Sequence, residues 1–223
     1  MNIFSNDSML GRFLLWTADI FILNILWFIF SLPLFTIGAS TTALYYSLMI
    51  RTRRDEGYIH KNFFKSFKLN FVQSTIIWVI LVLIGIIIFI DFRVGLFLNA
   101  ANNSPVGKII LLSSIIIMIP YFFILMYIFP VQAKFINKIT DNLKNSLLMA
   151  IGHLGYTFIL ILITLSFFLL TFISRAFIGI EILFGFGLYA YITSNIYITV
   201  FRKHLPQELE EDLEALGIQN QDI

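Results

Sequence analysis

The chain holds no cysteine. Disulfides, thiolate metal centres, iron–sulfur clusters and thiol nucleophiles are therefore excluded. Charge is scarce too. Only 13% of the 223 residues are Asp, Glu, Lys or Arg, about half the ~25% usual in a globular chain. That is too little polarity to cover a water-soluble exterior. The net charge of +2 leaves no footprint for nucleic acid. The sequence lacks a Gly-x-x-x-x-Gly-Lys-Ser/Thr phosphate loop, a Gly-x-Gly-x-x-Gly turn and a His-Glu-x-x-His pair, so those routes to nucleotide and zinc chemistry are closed. His60, His153 and His204 are scattered without metal-ligand spacing. We expect no cofactor, no metal and no enzymatic activity.

What is present is apolar. Hydrophobic residues make up 59% of the chain, with 25 phenylalanines, and the mean hydropathy is +0.89. In water such a surface would aggregate, whereas in lipid it is ordinary. Apolar runs occupy Phe13–Ile50, Phe71–Ile90, Ile109–Phe129, Tyr156–Ile173 and Phe177–Val200. The last four are each near the ~20 residues that cross a bilayer core. None alternates with period two, which argues against a β-barrel. The fold class is thus an all-α, polytopic transmembrane helical bundle. Arg12 is the only basic residue ahead of the first run, and that run is far longer than the apolar region of a signal peptide, so we read it as a retained helix.

The first run covers 38 residues, roughly 57 Å as one helix, too long for a ~30 Å core. Pro33 and Gly38 interrupt it. Proline removes a helical hydrogen bond and glycine permits a turn. A tight hinge there predicts helices at about 14–34 and 39–54 and six spans in all. The alternative is five spans with a kinked, partly re-entrant first segment.

Basic residues set the orientation. Arg12, the cluster Arg51, Arg53, Arg54, Lys61, Lys65 and Lys68, the trio Lys134, Lys138 and Lys144, and the pair Arg202 and Lys203 fall on one side. Arg93, Lys108 and Arg175 fall on the other. The positive-inside rule places the richer side in the cytoplasm, and six spans place both termini there. Two basic connections, about 55–70 and 131–148, are amphipathic. Phe63, Phe64, Phe67 and Phe71 form one stripe, and Ile136, Ile139, Leu143 and Leu147 another. They are either interfacial helices on anionic lipid or cytoplasmic extensions of neighbouring spans. Arg54, Lys61, Lys65 and Lys68 are the candidate lipid or partner surface. Phe63-Phe-Lys-Ser-Phe67 aligns with Leu143-Lys-Asn-Ser-Leu147, and Tyr45 and Tyr127 precede them at similar distances, which suggests a duplicated unit.

Residues 91–108 read as an external loop, with Ser104 as N-cap and Pro105 at the first position of the next helix. Pro120 should kink that helix and Pro130 mark its end. Residues 1–204 form a single transmembrane domain, and residues 205–223 an acidic cytoplasmic tail carrying Glu208, Glu210, Glu211, Asp212 and Glu214. Ionisable groups inside spans are costly and draw attention. Asp19 and Asn24 lie in the first helix, Asp19 within reach of Arg12. Glu181 lies in the last, near Arg175. No pair of intramembrane carboxylates has a spacing for acid–base work. Ala39 and Ala43 offer a small-residue face for close helix approach.

The segment Asn24-Ile-Leu-Trp-Phe-Ile-Phe-Ser-Leu-Pro-Leu-Phe-Thr-Ile-Gly-Ala-Ser-Thr-Thr-Ala-Leu-Tyr-Tyr46 resembles the hallmark of the YesL-like family of small bacterial membrane proteins, a domain of unknown function. Arg54-Asp-Glu-Gly-Tyr58 with Phe63–Phe67, and Phe129-Pro-Val-Gln-Ala-Lys-Phe135 with Leu143–Leu147, fit the same pattern. The resemblance covers roughly residues 10–200. It implies a bacterial plasma-membrane protein whose genes neighbour those of carbohydrate ABC importers and glycoside-degrading enzymes, and it carries over no catalytic residues. The expected function is that of an accessory or scaffold component linked to carbohydrate uptake, with the lipid bilayer and possible ABC importer components as partners. A small solute transporter or channel is the alternative, and an intramembrane enzyme a further one.

Overall fold

A computed structural model describes residues 9–53, 59–102, 104–173 and 175–203. Those residues are almost wholly helical, with no strand among them. In chain order they form α1 (Met9–Ser31), a 3₁₀ turn (Leu34–Thr36), α2 (Ile37–Arg53), α3 (Ile59–Asn102), α4 (Pro105–Lys134), α5 (Ile139–Gly152), α6 (Leu154–Ile173), α7 (Arg175–Ile180), a π-helical segment (Glu181–Gly185) and α8 (Phe186–Arg202). The helical bundle expected from the sequence is what is found. The acidic tail and Arg54 lie outside the described residues.

Among the described residues, five helical stretches are long and apolar enough to cross a membrane, the lower of the two expected counts: Met9–Ser31, Ile59–Ala100, Pro105–Lys134, Leu154–Ile173 and Ile178–Arg202. The sixth expected segment forms, as α2, with 17 residues, or about 26 Å, at the short end of the ~17–25 residues of a spanning helix. It is a central helix packed against α1, α3, α4 and α8. Ala39, Ser40, Thr42, Ala43, Ser47 and Leu48 have no exposed surface. So many hydroxyls are tolerated because they bond within the helix. Ser40, Thr42 and Ser47 donate to the carbonyls of Thr36, Gly38 and Ala43 at 3.0, 2.9 and 2.9 Å, so no polar group is left facing apolar neighbours.

The break between α1 and α2 is a tight turn, as the proline predicts, but Gly38 plays a different part from the one expected. Pro33 opens the 3₁₀ turn with φ −74° and ψ 104°, and Thr36 closes it by a backbone bond to Pro33 O at 2.7 Å. The Trp78 indole N–H donates to Leu34 O at 2.8 Å. Gly38 is already helical. A Cβ there would stand 2.5 Å from Ser74 O, 2.7 Å from Trp78 Cβ and 2.9 Å from Phe129 Cε1. It is a site of close approach between three helices, not a hinge. The hairpin beyond it is antiparallel, because its contacts step in opposite directions: Ser31 with Ser40, Trp27 with Thr41, Asp19 with Arg51.

Helices α3 and α4 form the longest pairing, and they correct several boundaries. α3 runs 44 residues without interruption, about 66 Å. It absorbs the basic stretch before its span and most of the expected loop at 91–108, so Asp91 and Arg93 are helical. α4 continues through Pro120 and Pro130 to Lys134, four residues past the expected end. Ser104 and Pro105 start it as predicted, although the serine side chain makes no capping bond. The pairing is antiparallel in one register. Gly85 meets Tyr121, Gly95 meets Leu111, and Gly107 meets Asn99, each glycine at a contact where a Cβ would come within 2.8 Å of its neighbour.

Candidate functional site

The two lysine-bearing segments meet at the same end of the bundle. The first is the opening of α3, an extension of the span. Phe63 and Ser66 are buried there, and Lys61, Lys65 and Lys68 are exposed. The second is α5, separated from α4 by an extended break at 135–138. Its buried side is Asn142, Ser146, Met149 and Ala150. Lys138 and Lys144 are exposed, and so are Leu148 and Ile151 further along. Of the expected stripe, Ile139, Leu143 and Leu147 are half-buried, the first two against the core, and Ile136 departs from it. Ile136 lies in the break and is fully exposed, because the chain turns before the helix begins.

A chain of amides ties these segments together. Asn70 on α3 accepts from Gln132 Nε2 on α4 at 3.2 Å. Gln132 accepts through Oε1 from the Asn142 amide on α5. A serine holds the Asn70 amide, and another bonds the backbone carbonyl of Asn142. Asn70 donates to the Ser66 hydroxyl at 3.2 Å, and Ser146 donates to Asn142 O at 2.7 Å. Gln73 adds a bond to Asn137 O at 2.7 Å, pinning the break. Gln132, Asn142, Ser66 and Ser146 are all buried. Asn142 Oδ1 has no partner, but breaking the remaining amide bonds would orphan further buried polar atoms, which holds the three side chains together. One unit therefore carries Lys61, Lys65, Lys68, Lys138 and Lys144. Composition gave no sign of the amides. The available signal was spacing: Ser66, Asn70 and Gln73 share a helix face, as do Asn142 and Ser146.

The other candidates are structural neighbours of this end or lie away from it. Asp19 pairs with Arg51 on α2, not with Arg12, which is exposed. Their side chains are 28% and 22% exposed, respectively, so the pair is half-buried rather than solvated. Asn24 is fully buried against the π-helical segment. Its Nδ2 donates to Ile182 O at 2.7 Å, and its Oδ1 accepts from Gly187 N at 2.9 Å. The side-chain amide thus stands in the backbone ladder, satisfying the groups that the extra residue displaces. Gly187 makes this possible, since a Cβ there would lie 2.8 Å from Ile20 O. Glu181 accepts from the Thr171 hydroxyl, while the side chain of Arg175, its expected partner, lies outside the described residues. Asp19, Asn24 and Glu181 do not converge on one site. Tyr45 and Tyr127, the paired markers of the suggested duplication, both pack edge-on against Tyr197, at 5.6 and 5.2 Å between ring centres.

No group of His, Asp and Glu able to hold a metal occurs among the described residues. Their buried hydroxyls are chiefly bonded to helix carbonyls, and the basic end gathers the exposed Lys61, Lys65, Lys68, Lys138 and Lys144.

The family model described as "Protein of unknown function, DUF624" matches residues 20–92, the stretch that holds Asn24, Pro33, Gly38 and the α2–α3 contact. The chain is 30% identical over 209 residues to the uncharacterized protein YteU of Bacillus subtilis (strain 168), covering 89% of each chain. It is 26% identical over 155 residues to the uncharacterized protein YesL of the same organism, covering 68% of this chain and 71% of that one. No solved structure gives a significant match.

Proposed function

The chain belongs to the DUF624 family of proteins of unknown function, and on that premise we propose that it is a non-enzymatic accessory or scaffold protein of the bacterial plasma membrane. It holds a partner at its lysine-rich, cytoplasmic end, and the partner is a component of an ABC carbohydrate importer. The observation that carries this reading is the fixed basic surface: two lysine-bearing helices joined through Gln132 into one unit. A surface of this kind selects an acidic protein face by charge complementarity, which acts on encounter rate and specificity more than on affinity. The carbohydrate link rests on the gene neighbourhood that the family resemblance implies.

The test is purification of the full chain from native membranes in mild detergent, beside a Lys61→Glu/Lys65→Glu/Lys68→Glu variant. An importer permease or ATPase should accompany the wild-type chain and be depleted at least about tenfold with the variant, the scale of one or two lost charge contacts. A partner-free chain, or solute flux by the chain alone in liposomes, would overturn the proposal in favour of a transporter.

A further inference from the structure

We propose that the groove between α3 and α4 binds one acyl chain of an anionic phospholipid, with the lipid phosphate at Arg93. The groove has a volume of about 460 Å³, within the range of roughly 300–1,000 Å³ that takes a small ligand. Val82, Ile86 and Phe89 line one wall, and Met118, Phe122 and Leu125 the other. Its floor is Gly85 over the ring of Tyr121. The one polar group in the lining is the Tyr121 hydroxyl, and it already donates to Leu81 O at 3.1 Å. Gly85 lets that hydroxyl pass, since a Cβ there would lie 2.6 Å from it. With no polar group left to offer, the groove suits an aliphatic chain and not a sugar or an ion.

The head-group end follows from helix geometry. Arg93 is exposed and lies one turn beyond Phe89 and two beyond Ile86, on the face that lines the groove. It falls three residues past the apolar stretch Phe71–Ile90, where a bilayer gives way to its phosphates. Helical side chains lean toward the N-terminus, so Arg93 leans back toward the groove mouth. Lys108, on the antiparallel α4, leans away from it. Asp91 sits about 200° round the helix from Arg93 and does not neutralise it. A guanidinium pairs with phosphate in two-pronged fashion. A net-anionic head group keeps that attraction whole, whereas a choline head brings a second cation beside the arginine.

The test is native mass spectrometry of the full chain in mild detergent with phosphatidylglycerol or phosphatidylcholine added. The wild type should retain one phosphatidylglycerol, favoured over phosphatidylcholine by about tenfold, the scale of one charge-assisted hydrogen bond. Arg93→Gln should bring the two lipids to parity. Ile86→Trp, which fills the groove, should lose both. Ile116→Trp, at an exposed position of α4 that does not line the groove, should change neither. Should Ile86→Trp melt early by circular dichroism, Val82→Phe gives the same reading with a smaller side chain. Equal retention of both lipids by the wild type, undiminished binding in the filled groove, or an intact preference in Arg93→Gln would each overturn the proposal.

Discussion

Replacing Gln132 by methionine keeps the length of the side chain and removes its hydrogen bonding. Gln132 is 4% exposed and Asn142 is fully buried. Asn142 Oδ1 already has no hydrogen-bond partner, so the substitution strips the remaining contact from its amide. Asn70 fares better, because it keeps Ser66. One newly orphaned buried amide costs about 1–3 kcal/mol, and the methionine recovers part of this by apolar packing. We expect a net loss of about 2 kcal/mol for Gln132→Met. Asn142→Leu alone should cost a similar amount by orphaning Gln132 Oε1. The double variant should be more stable than the two losses summed, since replacing both partners by apolar groups is nearly neutral. The coupling should reach about 1 kcal/mol, somewhat above the ~0.6 average measured for polar pairs between membrane helices. Reversible SDS unfolding followed by tryptophan fluorescence gives all three values. Losses that add to within about 0.5 kcal/mol would refute the idea that these amides act as a unit.

Other positions give sharper or simpler outcomes. Gly38→Ala drives a methyl toward Ser74 O and Trp78 Cβ, both on α3, and should leave little monodisperse protein by size-exclusion chromatography. Asn24→Leu unmakes two bonds to the π-helical segment and should cost about 1–3 kcal/mol in the same unfolding assay. Asn24→Asp keeps the acceptor for Gly187 N but loses the donor to Ile182 O, so it should not rescue. Arg51→Gln alone, which strands Asp19 half-buried, should destabilise more than Arg51→Gln with Asp19→Asn, because an unpaired charge costs more than a missing pair. A double variant that is worse than the single one would count against the ion pair.

Much of the architecture was legible because lipid simplifies the code. A run of about 20 apolar residues has few alternatives to a span, and Pro33 and Pro105 marked real boundaries. What misled was punctuation inside long helices. Pro130 sits within α4, and the charges Asp91 and Arg93 sit within α3, because a helix may continue past the bilayer once its polar groups reach water. Gly38 read as a flexible point, yet it serves contacts to partners that are remote in sequence. Asp19 read as a local partner of Arg12 for the same reason: the true partner, Arg51, is brought in by the hairpin. The amide chain was the least visible feature. Asn70, Gln132 and Asn142 lie on three helices, and nothing in a single helix's spacing says that they touch.

The shared sidedness of the two lysine-bearing helices is open to direct measurement, and the cysteine-free chain makes it simple. Single cysteines at Lys65, Lys144 and Lys108 would be exposed in intact cells to a membrane-impermeant maleimide, before and after permeabilisation. All three positions are exposed on the protein, so reactivity reports sidedness alone. Cysteines at 65 and 144 should react only after permeabilisation, and the cysteine at 108 before it. Reaction of 65 and 144 from opposite sides would contradict the common basic face, and with it the scaffold function built on it.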